Sequence, residues 1–464
     1  MSTYSYFELQ EENLSESPEF QINNNGELSF HKINLNSIVK EHGSPLKITL
    51  TPIISQQIKK AKSMFLEAML DLNYKGSYTY CYCTKSSHFS YVLNEVLKND
   101  VHLETSSAFD LPIVEKLYEQ GKLKKDRFIV CNGFKRPEYT KNIVKLLNSG
   151  YSNLIPILDN INEFDIYSKN IKREFKIGIR IATEEIPNFK FYTSRLGISS
   201  KKIINFYKEY LANHKNAKLT MLHFFINTGI KDHNYYWNEL AKCLKIYAEL
   251  KKVCPTLDTL NIGGGLPFKS KLNDGYDYKG FIHSILKEIK TTCEEYKIDE
   301  PNIFTEFGTY TVAEASANIY SVLNEKKQND RESWYMINNS FMNTLPDTWG
   351  IDQRFIILPI NNWYNNYKSA FLGGLTCDSM DFYNAEIHNN KLFMPELSPN
   401  STQHIAVFNT GAYQEALSGY GGIKHCLIPS PKHIILDYDC KGNLKSEVFK
   451  NEQSHDEMLD ILGY

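Results

Sequence analysis

Between residues 50 and 310 the chain alternates short apolar runs, rich in β-branched and aromatic residues, with longer segments whose apolar positions recur at helical spacing. Strand-type runs stand at Ser77–Cys83, Val101–Glu104, Arg127–Cys131, Asn153–Leu158, Phe175–Ala182, Leu219–Ile226, Thr259–Ile262 and Asn302–Glu306. The first helix is well specified: Thr51 is a capping residue, Pro52 suits the first helical position, and Ile54, Ile58, Ala61, Phe65 and Ala68 share one face. In Tyr235–Val253, a second stripe is formed by Trp237, Leu240, Ala241, Leu244, Tyr247 and Ala248. Eight strands alternating with helices predict an α/β fold, a parallel (β/α)8 barrel over residues 46–310; a doubly wound open sheet is the alternative.

From residue 311 to 464 the texture changes. Short strand-like runs (Trp334–Ile337, Ala385–Ile387, Leu392–Met394, Ile405–Phe408 and His433–Leu436) lie between Gly, Pro and Asn turns, with Asn389–Asn390 predicted as a hairpin turn. This predicts a C-terminal all-β domain of sandwich or barrel type. Residues 1–45 fit neither half, and their Leu28–Ile33 run is expected to add strands to the β domain.

Composition narrows the function class. A chain of 464 residues with 42% hydrophobic content buries a large core, which excludes a mostly disordered protein. Lys and Arg number 52 against 54 Asp and Glu, and the absence of a basic block argues against nucleic acid as the main partner. The apolar runs are too short to span a bilayer, and acidic, polar Met1–Ser17 lacks the apolar stretch of a signal peptide. Nine scattered cysteines fit the reduced thiols of a cytoplasmic protein. Cys81 and Cys83 form a C-x-C pair with no second pair at a zinc-site spacing, so they read as alternation on a buried strand and not as a metal site.

In a barrel of this kind, functional groups gather where strands end. Lys85 follows the first strand, Glu104 ends the second, and Asn132 and Asp159 follow the third and fourth. Arg180 lies in the fifth, His223 and Phe225 in the sixth, Gly263-Gly264-Gly265 ends the seventh and Glu306 the eighth. Three of these have a direct chemical reading. The glycine run lets backbone N–H groups approach a phosphate. Lys85, in a desolvated barrel mouth, is expected to present a nucleophilic amine. Glu306, between Phe304 and Phe307, is an acid in apolar company that needs a cationic partner such as a protonated pyridine nitrogen. A phosphate cradle, a Schiff-base lysine and a carboxylate for a pyridinium together describe a pyridoxal phosphate site.

With these residues in place, the chain resembles the fold-type III pyridoxal-phosphate decarboxylases, alanine-racemase-like barrels that act on ornithine, diaminopimelate or arginine. The resemblance runs from about residue 28 to 440. Three stretches look closest to the biosynthetic arginine decarboxylases: Leu345–Gln353, Leu375–Ser379 and Gly411–Glu415. The resemblance implies that Lys85 carries the coenzyme, that Glu306 meets its ring nitrogen, and that Gly263, Gly264, Gly265 and Tyr413 bind its phosphate. It places Glu104 and Arg180 near the cofactor, makes Cys377 the thiol that reaches the neighbouring subunit's site to protonate the product, and sets Asp378 and Asp347 against the distal cation of the substrate. It therefore implies a homodimer with shared sites. Magnesium enters only by analogy with some relatives.

Two positions depart from the family pattern. The register of His223-Phe224-Phe225-Ile226-Asn227-Thr228 puts Phe225 where the family has a histidine stacked on the coenzyme, with His223 two residues earlier on the same strand face. Glu306-Phe307-Gly308 is followed by Thr309 where relatives carry arginine. The expected reaction is decarboxylation of a basic L-amino acid, first of all arginine to agmatine and CO2. The alternatives are ornithine, lysine, diaminopimelate or a carboxylated polyamine; a catalytically silent regulatory homologue; and a racemase, for which no second base stands at a matching position.

Overall fold

Each of the eight strand-type runs between residues 77 and 307 forms a strand, and hydrogen bonding closes the eight into one parallel barrel. The computed structural model describes residue 14 and residues 17–184, 193–226, 233–272, 275–330, 332–384 and 391–464. The chain divides into two units, one of Ile54–Pro267 with Tyr276–Thr311, the other of Met1–Ile53, Phe268–Gly275 and Val312–Tyr464. The described chain opens with an antiparallel meander, β1 (Phe20–Ile22), β2 (Leu28–Phe30) and β3 (Ile33–Asn34), followed by β4 (Leu46–Leu50).

The barrel strands are β5 (Tyr78–Cys83), β6 (His102–Thr105), β7 (Ile129–Cys131), β8 (Leu154–Leu158), β9 (Phe175–Arg180), β10 (Ala217–His223), β11 (Thr259–Asn261) and β12 (Asn302–Phe307). Strands enclosed by helices outside and side chains inside are apolar on both faces, which is why these runs read as near-continuous hydrophobic segments. Every residue of β8 is buried. Its Pro156 lacks the N–H that a central strand uses, and it sits opposite Cys131, the last residue of β7.

The helix Thr51–Asp71 buries all five predicted positions, Ile54, Ile58, Ala61, Phe65 and Ala68. At roughly 1.5–3 kcal/mol for each fully buried large apolar side chain, this stripe outweighs intrinsic propensity. Thr51 is the helix's first residue and not its cap, and its hydroxyl donates to the Leu436 carbonyl at 3.4 Å. In the helix His233–Val253, Ala241 is exposed, contrary to expectation. The buried line runs through Tyr236, Leu240, Cys243, Tyr247 and Leu250, which are spaced at three and four residues, and Ala241 falls beside it.

In the other unit, β13 (Ser316–Asn329), β14 (Glu332–Ile337), β15 (Ile356–Pro359), β16 (Tyr367–Gly373), β17 (Leu392–Pro395), β18 (His404–Phe408), β19 (Lys432–Tyr438) and β20 (Leu444–Lys450) join β4 in one sheet. β4 lies inside it, antiparallel to β13 and parallel to β19. Alternate residues form the core: Tyr320 and Val322, Tyr335 and Ile337, Ala370 and Leu372, Ile405 and Val407. The N-terminal meander is a separate sheet that meets this unit through Phe20 and Phe30, whose ring centroids lie 4.7 and 5.1 Å from that of Phe408. The expected strand Ala385–Ile387 and the turn Asn389–Asn390 lie outside the described residues, as do Asn227 and Thr228.

Candidate active site

Alternation along a strand decides which residues reach the barrel interior. Cys81, Val130, Ile155, Ile157, Met221 and Phe304 pack there as an apolar cluster. Two residues further along the same strands stand Cys83, Asn132, Asp159, His223 and Glu306, all buried. The inward face that is apolar at mid-barrel thus turns polar at the C-terminal ends of the strands. A register shift between Leu219 and Met221 in β10 is part of this, since it sets the face that His223 shares with Met221.

These side chains form one hydrogen-bonded network. Glu306 accepts from Asn132 Nδ2 at 2.9 Å on both oxygens, from Asn261 Nδ2 at 2.6 Å, and lies 3.2 Å from His223 Nε2. Asn132 Nδ2 also donates to Glu104 Oε1 at 3.0 Å, and Glu104 Oε2 accepts from Lys85 Nζ at 2.6 Å. Burial pushes the Glu306 carboxyl up, but the adjoining His223 imidazole, Lys85 and Asn132 together hold it well below the ordinary carboxylate range. The cationic partner expected of Glu306 is therefore supplied in part by the protein itself.

Lys85 stands on a single 3-10 turn, Thr84–Ser86, directly after β5. Its side chain is 41% exposed and paired with fully buried Glu104, so an ion pair, and not the expected desolvation, is its setting. The turn closes tightly on the end of β12: Cys83 Sγ donates to the Glu306 carbonyl at 3.0 Å, and a Cβ on Gly308 would collide with Ser86 Oγ.

The glycine run has two physical requirements. Gly263 and Gly265 have φ of +68° and +97°, the left-handed region that glycine enters without strain. A Cβ on Gly264 would collide with the Glu306 carbonyl oxygen. Close packing on β12 thus accounts for Gly264 without any ligand. Asn261 ties this loop to the acid, since its Oδ1 accepts from Gly263 N at 2.9 Å while its amide donates to Glu306. Arg180 is buried at the end of β9, its guanidinium carbon 5.3 Å from the centroid of the half-buried Phe225 ring. Asp159 is occupied otherwise, accepting from Gly197 N at 2.8 Å.

The remaining predicted residues belong to the other unit. Asp347 lies in the first turn of the short helix Pro346–Ile351, and its Oδ2 accepts from Gln414 Nε2 at 2.8 Å, which brings the Leu345–Gln353 and Gly411–Glu415 stretches together. Burial raises the Asp347 carboxyl above its usual range, with Gln414 opposing. Tyr413 has φ of +66°, an outlier for a bulky side chain and of the kind that clusters at functional sites. Cys377 is exposed, and Asp378 Oδ1 accepts from Met380 N at 2.8 Å.

Two residues at the barrel end were missed by sequence reasoning. Asn261 was absorbed into an apolar strand run, although a lone amide in that run was the available signal. Lys135, whose side chain is fully buried, donates to the Ile157 carbonyl at 2.6 Å and pairs with Glu163 at 3.1 Å; nothing in its local sequence marked it. Three polar atoms near the network, His223 Nδ1, Asn132 Oδ1 and Ser86 Oγ, are buried without a hydrogen-bond partner among the described residues. Orphaned polar atoms beside an amine and an ionised buried carboxylate fit a polar ligand with an aldehyde at one end and a ring nitrogen at the other.

Residues 55–313 match the family described as pyridoxal-dependent decarboxylase, pyridoxal binding domain. A biosynthetic arginine decarboxylase of Prochlorococcus marinus subsp. pastoris is 22% identical over an alignment covering 96% of this chain and 88% of that protein. Among solved structures, the biosynthetic arginine decarboxylase of Campylobacter jejuni superposes with a TM-score of 0.81 at 21% identity, covering 97% of this chain and 90% of the other. A diaminopimelate decarboxylase from M. jannaschii in complex with L-lysine gives 0.77 at 17% identity, covering 96% and 97%. Among the described residues, no helix is long and apolar enough to cross a membrane.

Proposed function

The chain belongs to the pyridoxal-dependent decarboxylases, and within that family we propose that it converts L-arginine to agmatine and CO2. The observation that carries this reading is the contact between Asp347 and Gln414, which joins two of the three arginine-decarboxylase-like stretches around one carboxylate. The names of the relatives in Prochlorococcus and Campylobacter support the same substrate.

Pyridoxal phosphate, when bound, supplies a conjugated electron sink for the pair left by a departing carboxylate. Lys85, whose amine pairs with Glu104, would hold it covalently. Glu306, buried and held ionised by His223, Lys85 and Asn132, would keep a proton on the ring nitrogen, and Asn261 donates to the same carboxylate. Phe225 would offer its ring face for stacking, with Arg180 beside it; Gly263–Gly265 would supply backbone donors for the phosphate end, and the resemblance assigns Tyr413 to the same group. Thr309 brings no charge there. Asp347 and Asp378 suit the planar guanidinium of arginine through paired carboxylate hydrogen bonds. Cys377 delivers the proton that takes the place of the lost carboxylate at Cα. Its exposure supports a homodimer in which it serves the neighbouring subunit's site, testable by sedimentation during turnover.

The test is release of CO2 and agmatine by the purified, coenzyme-supplied protein against arginine, ornithine, lysine, diaminopimelate and a carboxylated polyamine. Arginine is expected to dominate by kcat/KM; dominance of another amine overturns the substrate assignment. A catalytically silent, partner-binding homologue is the second reading, and the substitutions at Phe225 and Thr309 favour it. Absence of CO2 from every substrate, with coenzyme bound, would establish it.

A further inference from the structure

Two loops in the all-β unit bring three soft ligands together. Cys377, His425 and Cys426 each offer one ligand atom, and these atoms all lie within 4.8 Å of one another; the two thiol sulfurs are 3.4 Å apart. The sequence gives no warning of this, since 47 residues lie between Cys377 and His425. Tetrahedral zinc, with Zn–S of about 2.3 Å and Zn–N of about 2.0–2.1 Å, needs ligand atoms about 3.5–3.8 Å apart. Small side-chain rotations close the difference.

The scaffold beneath the cluster is fixed in advance. Asp381, buried, accepts from Thr376 N at 3.0 Å and Thr376 Oγ1 at 2.8 Å, and on its other oxygen from Ser340 Oγ at 3.0 Å and Met342 N at 3.2 Å. The second loop hangs on the same short helix, Phe341–Thr344, where Asn343 Nδ2 donates to the His425 carbonyl at 3.0 Å. Both ligand-bearing loops are thus tethered to one element whose flanking Asn339 and Ser340 are fully buried. Ligands held on one rigid support lose little freedom when they converge on an ion. All three ligands are exposed on the single chain, and one coordination position is left for water or an external ligand.

We propose that Cys377, His425 and Cys426 form a binding site for a thiophilic divalent cation of the zinc type. Binding exchanges two thiol protons for two metal–sulfur bonds, with no change of oxidation state, and so strengthens as pH rises. On the separate reading of Cys377 as the product's proton donor, occupancy withdraws that donor, so metal loading and turnover exclude each other.

The experiment is a cobalt(II) titration of the full-length, chelator-treated and phosphine-reduced protein, read by absorbance. One ion per chain is expected, with a thiolate-to-cobalt charge-transfer band in the near ultraviolet and visible bands of tetrahedral cobalt, both bleached by zinc. Cys377→Ser and Cys426→Ser should each abolish the bands and His425→Ala should weaken them, whereas Cys440→Ser should leave them intact; circular dichroism confirms that each variant is folded. Absence of the bands in the reduced wild type, or their persistence in the Cys377→Ser/Cys426→Ser double variant, overturns the site. A Cys377–Cys426 disulfide in air-exposed protein together with no cobalt band in reduced protein assigns the pair to redox chemistry instead. Since the readout is spectroscopic, failure of the arginine assay leaves this test unaffected.

Discussion

Replacing Glu306 by glutamine removes one negative charge from the centre of the barrel network while conserving shape. Three donors converge on the two carboxylate oxygens: Asn132 on both, Asn261 on one and His223 on the other. Glutamine offers only one acceptor. With its oxygen toward Asn261, its amide nitrogen faces the Asn132 amide and His223 Nε2, where an acceptor stood, so part of the network is lost. Hydrogen bonds to a charged group are worth about 1.5–3 kcal/mol. With about 2–4 °C per kcal/mol for a domain of this size, the coenzyme-free variant should melt roughly 3–12 °C below wild type at pH 7. The pH dependence has a definite sign. Glu306's carboxyl is held below its ordinary 4.5, so its stabilisation is fully present above about pH 4.5 and is lost as pH falls through the folded-state value. The gap between wild type and Glu306→Gln should therefore narrow on acidification. Differential scanning calorimetry at pH 7 and at successively lower pH measures both. Coincident melting at neutral pH, or a gap that widens in acid, refutes the argument.

Lys85→Ala should abolish the visible absorbance of bound coenzyme and leave no borohydride-reduced peptide; a retained band or a label on another lysine shows that the wrong amine was chosen. Gly264→Ala forces a Cβ onto the Glu306 carbonyl and should destabilise the coenzyme-free protein by about 1–3 kcal/mol, seen as a lower Tm, and an unchanged Tm would remove the packing explanation for that glycine. Asp347→Asn keeps the Gln414 hydrogen bond but discards the charge, so KM for arginine should rise by about 5- to 100-fold with coenzyme absorbance intact. Equal KM values would exclude Asp347 from substrate binding.

The barrel was legible because its cause is local. Eight runs apolar on both faces, separated by amphipathic helices, leave few architectures that bury everything, and the same period-two rule that makes Met221 and Phe304 core residues sends His223 and Glu306 to the strand ends. The β unit was less legible. β4 is a five-residue strand ahead of the first barrel helix, yet it lies inside a sheet built mostly from residues beyond 311, and no local pattern states such a long-range pairing. The 14-residue β13 escaped notice because its exposed second half carries no alternation of apolar residues.

Sequence by itself determined which residue types stand at the ends of which strands, since periodicity is a property of the backbone. Tertiary structure alone decided their states. That Lys85 is ion-paired and half exposed, that His223, Lys85 and Asn132 hold Glu306 ionised, and that Cys377 lies beside Cys426 are consequences of distances between segments far apart in the chain, and electrostatics and hydrogen bonding act through those distances.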